Sequence, residues 1–88
     1  MATTVTSTLT VRVLLFGSYA EALERGALDL TFSGPVTVGE ALARLRALPG
    51  GERLPAKPLC ALNLQQARMG SPLTEGDELA ILPPLAGG

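Results

Sequence analysis

The amino-acid sequence predicts an α+β fold: a mixed sheet of about five strands with one main helix packed on one of its faces. Three observations point there. The segments run strand, short helix, strand, longer helix and then three strands. The strand segments carry apolar residues at every second position. The longer helical segment opens on a capping-box spacing and bears a single apolar stripe. With 88 residues, 47 % hydrophobic and only 3 % aromatic, the chain is expected to build one domain around an aliphatic core.

Residues 9–16 read as the first strand, with Leu9, Val11, Val13 and Leu15 alternating onto one face. Gly17-Ser18 interrupts it, and Ser18 is placed to cap a short helix over 19–25 that Gly26 ends. Residues 27–33 form a second strand, with Leu28, Leu30 and Phe32 inward and Asp29 and Thr31 outward. Gly34-Pro35 turns the chain. Thr37 and Glu40 then have capping-box spacing, and the helix they open runs to about Leu48. Val38, Ala41, Leu42, Leu45 and Leu48 form its apolar stripe. Pro49-Gly50-Gly51 ends the helix, and residues 51–57 read as a polar loop. A third strand follows at 58–63, then a turn and a short fourth strand within 64–69. Thr74-Glu75-Gly76-Asp77 reads as a tight turn, and Glu78–Leu82 as the last strand. The expected organisation is a domain over residues 1–82, its first eight residues flexible, and a flexible tail over 83–88.

The outer face of this sheet is informative. In the first strand it presents Thr10, Arg12, Leu14 and Phe16, and in the last strand Glu78, Ala80 and Leu82. Both strands become apolar toward their C-terminal ends. If they are parallel neighbours, Leu14, Phe16 and Leu82 form an apolar patch where the tail departs, and such a patch is a surface for a partner.

Composition removes several classes of function. Seven basic residues against eight acidic ones give a net charge of −1, so no basic field exists for nucleic acid and few aromatics exist to stack on bases. No run is long enough to span a membrane, and the opening residues lack a signal-peptide pattern, so a cytoplasmic location is expected. There is no histidine, and Cys60 is the only cysteine. Triad, Cys-His and His-metal chemistry have no residues to use, and no metal site is expected. Cys60 lies in the apolar run Pro58–Leu62 and reads as a small core residue. Glu75, Asp77 and Glu78 read as a solvated turn. Arg44, Arg46, Arg53, Lys57 and Arg68 read as ordinary surface charge.

What remains is the tail: Pro83-Pro84-Leu85-Ala86-Gly87-Gly88. Two prolines hold its root extended, and two glycines leave its tip without side chains. Such a tail suits a narrow channel in another protein, and the group delivered there is the α-carboxylate of Gly88.

Asn63, then Pro72-Leu-Thr-Glu-Gly-Asp-Glu78 and the terminal Pro83-Pro84-x-x-Gly-Gly, resemble the small subunit of molybdopterin synthase, the MoaD family. Val13-Leu-Leu-Phe16 followed by a short helix is similar too. The resemblance spans most of residues 9–88. It implies a ubiquitin-like β-grasp fold and a sulfur-carrier role. A ubiquitin-activating-like enzyme would use ATP to adenylate Gly88, and sulfur would replace the adenylate to give a thiocarboxylate. The large synthase subunit would then take in the tail, and sulfur would pass to cyclic pyranopterin monophosphate. By this resemblance Gly88 carries the chemistry, and Pro83, Pro84, Leu85, Ala86 and Gly87 thread the channel. Phe16, Leu14 and Leu82 meet the partner, and the chain itself binds no cofactor. Gln66 stands where a larger apolar contact is common in the family, and Ala20 where an arginine occurs. Carriers for thiamine, cysteine or tRNA thiolation share the fold and the diglycine. A protein modifier joined through Gly88 and a plain binding module are the other readings.

Overall fold

The computed structural model describes residues 8–84. Strand β1 (Thr8–Leu15) leads into helix α1 (Gly17–Leu23) and strand β2 (Ala27–Ser33). Helix α2 (Val38–Arg46) follows, then a 3-10 turn at Gly51–Arg53, and strands β3 (Leu59–Leu62), β4 (Gln65–Ala67) and β5 (Glu78–Leu82). The sheet order is β2-β1-β5-β3-β4. β5 is therefore central, parallel to β1 and antiparallel to β3.

The alternation in the sequence sets the layers. Val11, Val13 and Leu15 of β1, Leu30 and Phe32 of β2, Cys60 of β3, and Leu79 and Ile81 of β5 are buried on one face of the sheet. Tyr19 and Leu23 of α1, and Ala41, Leu42 and Leu45 of α2, complete the same core. Each fully buried leucine contributes roughly 1.5–3 kcal/mol by leaving water. The expected capping box is present: Thr37 Oγ1 accepts from the Glu40 N–H at 3.2 Å, and Glu40 Oε1 accepts from the Thr37 N–H at 2.9 Å.

Some details differ from the expectation. Helix α1 starts earlier, at Gly17, because the carbonyl of Phe16 accepts from the N–H groups of Tyr19 and Ala20. Ser18 therefore sits inside the first turn and does not cap. The helix also ends earlier, with Glu24 taking the left-handed cap at φ 58°. Gly26 does not end it, because its φ lies outside the left-handed region that a helix-ending glycine adopts; its carbonyl instead accepts from the Leu15 N–H at 2.9 Å, just beyond the β1–β2 pairing. α2 stops at Arg46, and Leu48 packs against the core from the turn beyond.

The segment 51–57 is less polar than expected. Leu54 is wholly buried and Gly51 is buried beside it. Gly50 adopts φ 88°, and a side chain there would overlap the backbone carbonyl of Ala22 at the end of α1. One on Gly51 would overlap backbone at Leu45 and Arg46. The two glycines let the chain pass between the C-terminal ends of both helices.

β3 and β4 are joined by a two-residue turn, Asn63-Leu64, with both residues at positive φ (50° and 72°). Leu64 is 91 % exposed at its tip. No helix among the described residues is long and apolar enough to cross a membrane.

Candidate functional site: the root of the tail

The parallel pairing of β1 with β5 sets Leu15 beside Ile81 and Leu14 beside Ala80. Phe16, one residue beyond β1 and still extended (φ −131°, ψ 154°), therefore comes alongside Leu82. On the other side of β5, Leu82 pairs with Leu59. The structure thus brings the predicted residues Leu14, Phe16 and Leu82 together on the helix-free face of the sheet, at the end from which the tail leaves.

Phe16 is 45 % exposed, whereas Leu14 and Leu82 are half-buried. Leu59, 49 % exposed, extends the patch and was missed in the sequence. The signal was present: with Cys60 in the core, strand alternation turns Leu59 and Ala61 outward. Ala27, Leu14, Ala80, Ala61 and Gln66 lie in one row across the five strands, so Gln66 forms a polar border at the β4 edge. One strand step away, Arg12 and Asp29 form an exposed ion pair at 3.8 Å, next to Glu78. The open face is thus apolar near the tail and charged at the far end.

The tail's root is fixed by packing. Gly17 adopts φ 54°, and a side chain there would come within 3.2 Å of Pro83 Cγ. Pro83 thus closes against the β1–α1 corner. Pro84 lines an open cleft of about 370 Å³ with Tyr19, Pro55, Lys57, Leu59 and Leu82. Leu85, Ala86, Gly87 and Gly88 lie outside the described residues.

The acidic turn does more than contact solvent. Glu75 Oε1 accepts from the Thr10 N–H at 2.8 Å, and the Gly76 N–H donates to the Thr10 carbonyl at 2.9 Å. Asn63 spans the two turns: its Nδ2 donates to Asp77 Oδ1 at 3.0 Å, and its Oδ1 accepts from the Glu78 N–H at 3.0 Å. The Thr74 N–H and hydroxyl both donate to the Asp77 carboxylate. These bonds start β5 in register beside β1, and so place Leu82 and the root of the tail. Partial burial pushes the Asp77 carboxyl upward, but the hydrogen bonds from Asn63 and Thr74 outweigh it and hold it below its usual 3.8. A carboxyl lowered in the folded state stabilises above its unfolded value and loses that contribution as pH falls through its folded one. Acid titration of the native chain is therefore expected to lose stability below about pH 4, and Asp77→Asn to flatten that loss in urea melts taken across the range. Equal acid slopes for the two proteins would refute this role.

Two basic residues are likewise structural. Arg44 stacks 4.4 Å from the centre of the Phe32 ring and donates to the Thr31 carbonyl. Arg46 Nε donates to the Leu54 carbonyl. Cys60 is buried, and burial pushes its thiol up to about 11, so the neutral thiol persists at physiological pH.

A five-stranded mixed sheet in this order, helices on one face, and a proline-rooted tail leaving the central strand define a ubiquitin-like β-grasp protein. The chain belongs to the ThiS family, whose match spans residues 13–88. It is similar to small archaeal modifier protein 1 of Haloferax volcanii, at 26 % identity and TM-score 0.77, over 88 % of this chain and 99 % of that one. Subunit 1 of the molybdopterin-converting factor of Helicobacter pylori, solved in complex with subunit 2, is similar at 25 % identity and TM-score 0.67, over 91 % and 100 %. A putative molybdopterin converting factor subunit 1 from Pyrococcus furiosus shares the fold at 14 % identity and TM-score 0.78, over 88 % and 99 %.

Proposed function

We propose that this chain is the sulfur-carrying small subunit of a molybdopterin synthase. The observation that carries the reading is the apolar patch of Leu14, Phe16, Leu59 and Leu82 at the root of a Pro-Pro…Gly-Gly tail, on a ThiS-family domain. The patch is the docking surface for the large subunit, and the tail enters that subunit's active site. An adenylating enzyme supplies ATP: a Gly88 carboxylate oxygen attacks the α-phosphorus and pyrophosphate leaves. Sulfur from a donor then displaces AMP, giving a thiocarboxylate. Within the large subunit that sulfur passes to cyclic pyranopterin monophosphate. The carrier needs no catalytic side chain, which fits a chain with no histidine and a buried, protonated thiol. ATP belongs to the activating partner, and the whole sequence runs in the cytoplasm.

Incubation with an adenylating enzyme, ATP and a sulfur donor should exchange one oxygen for sulfur at the C terminus, read by intact mass. In cells lacking their own small subunit, the gene should restore molybdoenzyme activity. Restoration of a thiamine-carrier defect instead would move the chain to another thiolation pathway. The similarity to small archaeal modifier protein 1 supports a second reading, attachment to lysines of other proteins through Gly88. Lysine-linked adducts in place of rescue would favour it.

Phe16→Asp is expected to weaken binding of the large subunit by about 30-fold or more, the effect of losing a central apolar anchor of ~2 kcal/mol. Its melting temperature should stay near native, because Phe16 lies outside the core. Calorimetric titration checks the first and circular dichroism the second.

A further inference from the structure

Lys57 is the only lysine of the chain; every other basic residue is an arginine. The difference is chemical. A guanidinium stays protonated and does not accept an acyl group, whereas a lysine amine in its neutral form is a nucleophile. The chain thus carries one side-chain amine able to attack an activated carboxyl.

Its position adds to this. Lys57 is exposed and lines the same cleft as Leu82 and Pro84, beside Tyr19 and Leu59. Pro83 is packed at Gly17, which fixes the residue before Pro84, and Pro84 shares the cleft with the amine. Gly88 is the fourth residue beyond Pro84, a reach of up to about 14 Å. Among the described residues no carboxylate lines the cleft. A short tether of this kind gives an effective concentration on the order of 1 mM. At about 10 μM chain, capture within one molecule then exceeds capture by a second copy by roughly 100-fold.

We propose that Lys57 is an acyl-acceptor site for the chain's own C terminus. When Gly88 is activated and neither sulfur nor a partner's channel has taken it, the Lys57 amine captures its carbonyl carbon and closes a lariat between residues 57 and 88. The step balances: a C–N bond forms, the bond from the carbonyl to its leaving group breaks, AMP or a thiolate departs, and the amine releases one proton to solvent. The product is an isopeptide one water lighter than the free acid. The role rests on the reading that Gly88 is activated in the cell, and it makes a partner's channel protective as well as catalytic.

The test uses the full chain prepared with a Gly88 α-thioester by intein thiolysis, held in mildly alkaline buffer at about 10 μM. The expected main product is the monomeric, one-water-lighter species. Trypsin should give peptide 54–68 joined to peptide 69–88. K57R should lower this product by about 100-fold and leave hydrolysis as the fate of the thioester, with an unchanged melt. Hydrolysis alone in both proteins, a dominant two-chain product, or a lighter product that survives K57R would each overturn the proposal. The experiment needs no partner enzyme, so the two readings fail separately. Capture of the thioester with no ATP-dependent activation of Gly88 would remove the carrier function, and activation without capture would remove the acceptor site.

Discussion

Gly50→Ala is expected to cost roughly 2–5 kcal/mol of folding stability. Two terms add. A left-handed backbone costs a side-chain-bearing residue about 1–2 kcal/mol, and Gly50 sits at φ 88°. Forcing a methyl group into packed surroundings costs typically 1–3 kcal/mol more, and here the obstacle is the carbonyl of Ala22, which no rotamer change removes. A domain of this size has about 4–13 kcal/mol in total, and each kcal/mol moves the melting temperature by roughly 4–8 °C. Thermal and urea unfolding should therefore show a fall of about 10 °C or more. Gly26→Ala is the control: Gly26 has open space and an ordinary φ, so its change should stay within about 0.5 kcal/mol. Matching melts for Gly50→Ala and the native protein would mean that the passage between the helices is looser than described.

Deletion of Gly88 is expected to abolish sulfur transfer while leaving the melt untouched. The proposed chemistry lies at the last carbonyl, and removing one residue withdraws it by up to about 3.6 Å. Misplacement of a reacting group by about 1 Å already costs roughly 100-fold. A loss beyond 100-fold in product formed by the reconstituted synthase is the expected result. Appending one glycine should be nearly as damaging, because it misplaces the same carbon in the opposite sense. Full turnover by the shortened chain would end the carrier reading.

Much of this was legible in the residues. The alternation of Val11, Val13 and Leu15 against Leu79 and Ile81 fixed which faces are buried, and Thr37 with Glu40 fixed the start of α2. Phe16, Leu14 and Leu82 were legible as a patch because both strands turn apolar at the same end. What escaped depends on contacts distant in sequence. Leu54 sits in a polar stretch and is buried only because Gly50 and Gly51 steer the chain between two helix ends. The end of α1 comes early because Glu24, rather than Gly26, takes the left-handed conformation. Glu75 and Asp77 looked like solvated acids, and their bonds to Thr10 and Asn63 span 65 and 14 residues. Local pattern cannot report such partners.

The central place of β5 has a consequence for when the domain becomes competent. The middle of the sheet is the last of the described strands to be synthesised, and both of its neighbours must wait for it. A chain still emerging from the ribosome lacks its keystone, so its halves cannot close on each other. Biogenesis thus favours finished molecules: any partner that grips the assembled sheet passes over fragments.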